Sequence, residues 1–321
     1  MTVLVTGCAG FIGSHLCEAL LERGDSVIGL DVFTDYYAPD RKRRNLLAFQ
    51  SHKRFRLLEC DLVTEDLCPI LEPVDCVFHT AGQPGVRGSW GKQFDVYLRN
   101  NILATQCLLE SIKTLGKEIR LVYSSSSSIY GNTDRLPTVE TDLPAPYSPY
   151  GTTKLAGEHL CRLYFANYRV PMVSLRYFTV YGPRQRPDMA FHIFIKALLK
   201  NQAIIILGDG SQTRDFTYVD DIVKANLSAA EKPVEGEVFN IGGECRVALR
   251  DVLSLLENVS GLSSRIERKP PTHGDVRDTW ANTEKARRLL GYEPKVLLPE
   301  GLKRQFLWEK GYYGDPAVRK G

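Results

Sequence analysis

Short apolar runs alternate with longer amphipathic stretches through the first half of the chain. Thr2 to Thr6, Ser26 to Leu30, Arg54 to Glu59, Cys76 to His79, Leu121 to Ser124 and Met172 to Arg176 read as strands. Between them, Ile12 to Arg23 (closing on Gly24), Gln93 to Leu115 and Pro149 to Asn167 carry helical patterns. Strands alternating with helices predict an α/β fold, a doubly wound parallel sheet covered on both faces. After Arg176 the rhythm changes, because Pro183, Pro187, Gly208, Gly210, Pro233, Pro270, Pro271, Pro294 and Pro299 cut the chain into shorter pieces. One strand–helix pair, Phe216 to Val219 then Ile222 to Ala230, and the run Val238 to Ile241 are candidates to return to the main sheet. The expected division is a main domain of roughly 1–178 plus about 213–243, and a smaller discontinuous lobe of about 179–212 and 244–321. No repeat of solenoid period is visible.

Composition narrows the class. The 321 residues suffice to bury a large core, so neither a disulfide nor a structural metal is required. Lys plus Arg is 41 against 38 for Asp plus Glu, a balance too mild to argue for nucleic acid or a membrane surface. The eight cysteines form no C-x-x-C pair and several sit in apolar segments, which predicts reduced thiols. The chain opens Met-Thr-Val-Leu-Val-Thr-Gly, directly into a strand, with no leader pattern and no bilayer-length apolar run. A cytoplasmic location is the expectation.

The first strand runs into Thr6-Gly7-Cys8-Ala9-Gly10-Phe11-Ile12-Gly13, which opens the first helix. Gly7 suits a tight turn, Gly10 lets backbone approach a pyrophosphate, and Gly13 permits close helix–strand packing. Phe11 and Ile12 then lie at the helix N-terminus, where free N–H groups face an anion. Asp31 ends the second strand, where a carboxylate accepts ribose hydroxyls and repels a 2′-phosphate, so NAD is favoured over NADP. The basic run Arg41-Lys42-Arg43-Arg44 reads as a solvated helix face. Asp61-Leu62 after the third strand are candidates for the adenine, and Ala81-Gly82 after the fourth leave room for the cofactor.

Tyr150 and Lys154 stand four residues apart on a helix whose start is marked by Ser148 and Pro149. That spacing places both on one face, where the ammonium is expected to lower the phenol's pKa toward neutrality. The tyrosine would then take a proton from a substrate hydroxyl while NAD takes the hydride. The serine run Ser124 to Ser128 lies at a strand end, where open α/β sheets bind ligands, and is read as part of the site rather than as a linker.

With these segments, together with Arg176-Tyr-Phe-Thr-Val-Tyr-Gly-Pro183 and Gly208-Asp-Gly-Ser-Gln-Thr-Arg-Asp-Phe216, the sequence resembles the extended short-chain dehydrogenase/reductases. Within them it is most similar to bacterial UDP-glucuronic acid 4-epimerases, with UDP-glucose 4-epimerases near by. The resemblance spans almost the whole chain and implies a Rossmann-type fold. It implies that Ser126, Tyr150 and Lys154 form the catalytic triad, Lys154 also holding the nicotinamide ribose. It places Asn101 beside the nicotinamide, Arg214 on the diphosphate and Asp275 on the uridine ribose. Where the family often has Arg, three residues before that acid, stands Thr272, and Arg277 is the candidate substitute.

The resemblance also separates the reactions. Dehydratases place Asp-Glu at the positions of Ser127 and Ser128, decarboxylases usually place Glu at that of Ser128, and reductases often need extra Cys/His acid–base groups, for which the sequence offers no placed candidate. Epimerisation of a UDP-sugar through a 4-keto intermediate remains, with UDP-glucuronic acid preferred. UDP-glucose, the decarboxylase and a redox-sensing NAD module are the alternatives. Ser126, Ser127, Ser128 and Thr179 offer neutral donors to a C6 carboxylate, and Arg87 or Arg186 offers a charge instead. A homodimer is implied through the helices Gln93 to Leu115 and Pro149 to Asn167, with Leu108, Leu109, Leu160, Leu163 and Phe165 as candidate contacts.

Overall fold

The computed structural model describes residues 1–270 and 274–314. Seven parallel strands form the central sheet: β1 (Thr2–Thr6), β2 (Ser26–Leu30), β3 (Phe55–Leu58), β4 (Cys76–His79), β5 (Arg120–Ser126), β6 (Met172–Tyr177) and β10 (Val238–Ile241). Their order across the sheet is β10-β6-β5-β4-β1-β2-β3. The order reverses between β1 and β4, and a crevice opens at their carboxyl ends, where such sheets bind ligands. β4, β5 and β6 are buried nearly throughout because helices cover both faces.

Local chemistry sets the helix ends. The helix Phe11–Arg23 stops at Gly24, whose φ of 101° lets its N–H reach back to the carbonyls of Leu20 and Leu21. The helix Pro149–Tyr168 starts with the Ser148 hydroxyl accepting the Gly151 N–H at 3.1 Å and proline in the first turn.

Three expectations are corrected. Val238–Ile241 does return to the main sheet, but the strand after Gln212 does not. It forms β9 (Thr213–Tyr218) in a second, three-stranded sheet between β7 (Thr179–Tyr181) and β11 (Arg246–Ala248). Its apolar residues say that the strand is buried, not in which sheet. The Gln93 to Leu115 pattern is not one α-helix, since Leu98–Leu103 forms a π-helical segment before the α-helix Ala104–Leu115. The basic run is only in part a solvated face: on the helix Pro39–Leu46, Arg43 is exposed but Arg41 and Lys42 are buried. Arg41 donates to Glu309 of the C-terminal helix, 268 residues away in sequence, at 3.1 Å and stacks against Tyr312 of the same helix. A third, two-stranded sheet pairs β8 (Ala203–Leu207) with β12 (Arg265–Lys269).

One buried ion pair fastens the helix Pro149–Tyr168 to β6. Arg176 forks onto Glu158, with Nε and Nη2 donating at 3.1 and 2.6 Å, and both side chains are only 6% exposed. Ser125 donates to the same carboxylate at 2.7 Å, and Arg176 also donates to the Tyr130 hydroxyl at 2.7 Å. Glu158→Ala would strand the guanidinium without its counter-charge and is expected to cost about 3–5 kcal/mol of stability. The urea midpoint measures this, and an unchanged midpoint would refute it.

Candidate functional site

Two clefts meet above the carboxyl ends of the strands. The first runs over the glycine loop and is lined by Gly7, Gly10, Phe11, Ile12, Gly13, Asp31, Asp61, Leu62, Ala81, Gly82, Tyr150 and Lys154. The second lies between the main sheet and the smaller lobe, lined by Arg87, Ser126, Ser127, Ser128, Thr179, Arg186, Arg214 and Asp275. Tyr150 and Arg186 stand on the wall of both. Residues scattered from Gly7 to Asp275 in the sequence are thereby brought together.

The first cleft is built for an extended anion. Gly10 begins the helix Phe11–Arg23 with no side-chain cap, so its first N–H groups open onto the cleft. Gly7 has φ 71°, and a Cβ there would sit 2.8 Å from the Ala81 nitrogen. Only glycine lets the loop lie so close to β4. Asp31 accepts the Ala9 N–H at 3.1 Å and the Phe33 N–H at 2.8 Å, fixing the loop on either side. Lys42 reaches to 3.7 Å of the same carboxylate and donates to Thr34 at 3.1 Å. Asp61 pairs with Arg99 at 2.7 Å, while Leu62 lies buried against the cleft. Cys8, within the loop, points inward instead, where a Cβ on Gly29 would lie 2.8 Å from its sulfur. Burial pushes its thiol well above the usual range.

Asn101 is buried directly behind Gly82 and Gln83 of the cleft wall. Its side chain accepts the Gln83 N–H at 2.6 Å and donates to the Gln83 carbonyl at 3.0 Å and to Thr153 at 2.9 Å. It thus pins the loop after β4 to the residue preceding Lys154. Its carbonyl anchors a hydrogen-bonded chain whose directions are determined. Thr105 donates to the Asn101 carbonyl at 2.7 Å, so its oxygen accepts from His79 Nε2 at 3.0 Å. His79 Nδ1 then accepts from Thr6 at 2.8 Å, and the Thr6 oxygen accepts the Ala81 N–H at 3.2 Å. Burial and then the Lys154 charge hold the imidazole pKa down to about 3, so His79 stays neutral.

At the junction, Ser126 hydrogen-bonds Tyr150 and also accepts the Ser128 N–H at 3.1 Å. The expected effect of Lys154 on Tyr150 takes a different form. Burial raises the phenol above its ordinary value, and the groups pulling it back are the Arg186 charge and the Ser126 hydrogen bond. Lys154 shares the helix face, but its ammonium lies over the Tyr123 ring, 4.8 Å from the centroid, on the Gly82 side of the cleft. Burial lowers Lys154 to about 8.

The second cleft sorts the remaining candidates. Arg214 is held by the carbonyls of Thr213, Val276 and Arg277 at 2.7–2.9 Å, so backbone aims its guanidinium into the cleft. Arg277 is corrected: its side chain is 78% exposed and turns to Asp278, and its contribution is the backbone carbonyl that holds Arg214. Arg87 pairs with Asp275 at 2.7 Å, which offsets both charges at the rim. Thr272 lies outside the described residues. Tyr36, Lys42 and Asp188 were missed by the sequence reading. Tyr36 and Lys42 follow the Asp31 turn and Asp188 follows Arg186, but no spacing marks any of them as facing a cleft.

Residues 3–242 match the NAD dependent epimerase/dehydratase family. The structure superimposes with a TM-score of 0.95 on the UDP-glucuronic acid 4-epimerase of Bacillus cereus, solved in complex with UDP-glucuronic acid and NAD; the two are 45% identical over 98% of this chain and all of that one. An uncharacterized UDP-glucose epimerase of Bacillus subtilis (strain 168) is 44% identical over 98% of this chain and 99% of its own. The UDP-glucuronate 4-epimerase of Thermodesulfobacterium geofontis is 38% identical, covering 96% of this chain and 95% of its own. With its parallel sheet, glycine loop and paired Tyr150 and Lys154, this chain belongs to the NAD dependent epimerase/dehydratase family.

Proposed function

We propose that this chain is an NAD-dependent 4-epimerase that interconverts UDP-glucuronic acid and UDP-galacturonic acid. The observation that carries the proposal is the meeting of Ser126, Tyr150, Lys154 and Arg186 where the anion-binding cleft joins the second one. The first cleft fits NAD: its glycine cradle excludes a Cβ at Gly7, its helix N-terminus suits a pyrophosphate, and Asp31 suits ribose hydroxyls. NAD bound there supplies hydride chemistry at C4 of the sugar and regains its starting state in each cycle. Tyr150 accepts the proton of the C4 hydroxyl and later returns one to the same oxygen. Because burial alone favours the neutral phenol, the nearby Arg186 charge and the Ser126 hydrogen bond are what make that proton transfer feasible. Lys154 holds the ribose side of the cleft with a charge that Glu158 supports from one turn deeper.

The sugar's C6 carboxylate is assigned to Arg186 with Ser127, Ser128 and Thr179. All four line the second cleft, and Arg186, unlike Arg87, also borders the cofactor cleft beside Tyr150. The Arg186 guanidinium, held on its other edge by Asp188, offers Nη1 and its charge to the carboxylate, and the hydroxyls take the remaining lone pairs. Arg214 is assigned to the diphosphate. Supplying UDP-glucuronic acid and UDP-glucose separately, with products followed by NMR, tests the substrate. UDP-galacturonic acid should form faster than UDP-galactose; the reverse order would overturn the assignment, and a 4-keto-pentose product would point to decarboxylation.

We further propose a cytoplasmic homodimer paired through the helices Ala104–Leu115 and Pro149–Tyr168. Leu108 and Leu109 are removed from the contact set, since both are wholly buried in this subunit's own core. Leu160 and Phe165 also pack largely against that core, which leaves Leu163, 51% exposed, joined by Leu103 and Tyr168. Among the described residues no helix is long and apolar enough to cross a membrane.

Three outcomes check this reading. Tyr150→Phe should fold, retain NAD and lose nearly all turnover; wild-type kcat in that variant would remove the acid/base role. Asp31→Ala should be purified with much less NAD than the parent, since both the ribose acceptor and the two loop N–H bonds disappear; equal NAD content would contradict the cofactor assignment. Light scattering at micromolar concentration should give a dimer mass, and a monomer mass would refute the pairing.

A further inference from the structure

Arg186 does not stand alone. Its Nε donates to Asp188 Oδ1 at 3.0 Å and its Nη2 to Oδ2 at 3.0 Å, a two-point fork that fixes the plane of the guanidinium. The Arg186 side chain is 22% exposed, so the fork closes over the cleft rather than waving in solvent. Asp188 Oδ2 accepts a second bond, from the Tyr36 hydroxyl at 3.3 Å. Tyr36 comes from a segment 152 residues away in sequence, the loop that leaves Asp31 at the end of β2. It lines both clefts, and its hydroxyl lies so close to Gly85 that a side chain there would collide with it. The β2 loop is therefore fastened at its base by Asp31, which holds the Phe33 N–H, and at its tip by Asp188.

We propose that Asp188 is the positioning residue for Arg186, and that its bond to Tyr36 makes the β2 loop a strap across the cofactor cleft, so that the group holding the sugar carboxylate and the strap retaining NAD share one anchor. This rests on the epimerase reading above. The fork occupies Nε and Nη2 and leaves Nη1 to meet an incoming carboxylate, which makes Asp188 a determinant of selectivity for the acidic sugar. Without Asp188 the guanidinium keeps its charge but loses its direction, and the strap loses its tip.

The test uses the enzyme as purified with its NAD. Asp188→Asn should raise KM for UDP-glucuronic acid about tenfold, the scale of one lost charge-assisted contact, with Asp188→Glu recovering part of the loss. The inhibition constant of UDP, which has no sugar to meet Arg186, should stay within about twofold. Tyr36→Phe should speed the exchange of bound NAD for labelled NAD about fivefold, with a smaller effect on KM. A parallel rise in the UDP-glucuronic acid KM and the UDP inhibition constant would mean that Asp188 only supports the fold, and would overturn the proposal. Unchanged NAD exchange in Tyr36→Phe would overturn the strap. A parent enzyme that does not turn over UDP-glucuronic acid would instead refute the functional reading, while the exchange measurement would still judge the strap.

Discussion

A lysine ammonium has to be kept inside an enclosed cleft, and much of the surrounding structure serves that end. Burial draws Lys154 down to about 8 even though Cys161 and the Glu158 carboxylate on the same helix work against that fall. Glu158 can do so because it is itself immobilised by Arg176 and Ser125. Positions 150, 154 and 158 repeat every four residues, so one face of one helix carries the phenol, the cation and the cation's support. The helix is in turn located by its Ser148 cap and by the β5 and β6 strands behind it.

The second organising element is the wall opposite that helix. Gly82 and Gln83 leave β4 at the switch point of the sheet, and Asn101 holds Gln83 by both backbone groups while also gripping Thr153. The π-helical segment that carries Asn101 departs from the regular turn at this place, as such segments often do beside functional sites. Behind it, neutral His79 joins β1, β4 and the helix Ala104–Leu115 without adding a charge beneath Lys154. A protonated imidazole there would have added a second buried cation beside the first.

Much of this was legible in the sequence, and the parts that were not share a cause. Strands β1, β2, β4 and β10, the glycine loop, Asp31 and the Tyr150–Lys154 pair rest on local spacing, and each lies where spacing puts it. Arg41 and Lys42 were misplaced because a basic run looks solvated until the carboxylates Glu309 and Asp31 close on it. Arg277 was offered by the resemblance as a substitute for the Arg expected at the position of Thr272, yet the atom it gives to the cleft wall is a carbonyl, which every residue has. Strand β9 could not be assigned to its sheet, because a strand's pattern records how many of its faces are buried and not by what. Leu108 and Leu109 satisfied the apolar requirement of an interface and that of a core equally well, and the core takes them.

The orientation of Cys8 has a consequence for the lifetime of the molecule. A thiol in a phosphate-binding loop, just ahead of a helix N-terminus, is normally where a thiolate is stabilised, and therefore where peroxides and electrophiles attack. Here the sulfur is turned beneath β2 and its ionisation is suppressed by burial, as is that of Cys17 in the helix that follows. The glycine loop consequently carries its cysteine in the form that peroxides and electrophiles attack least.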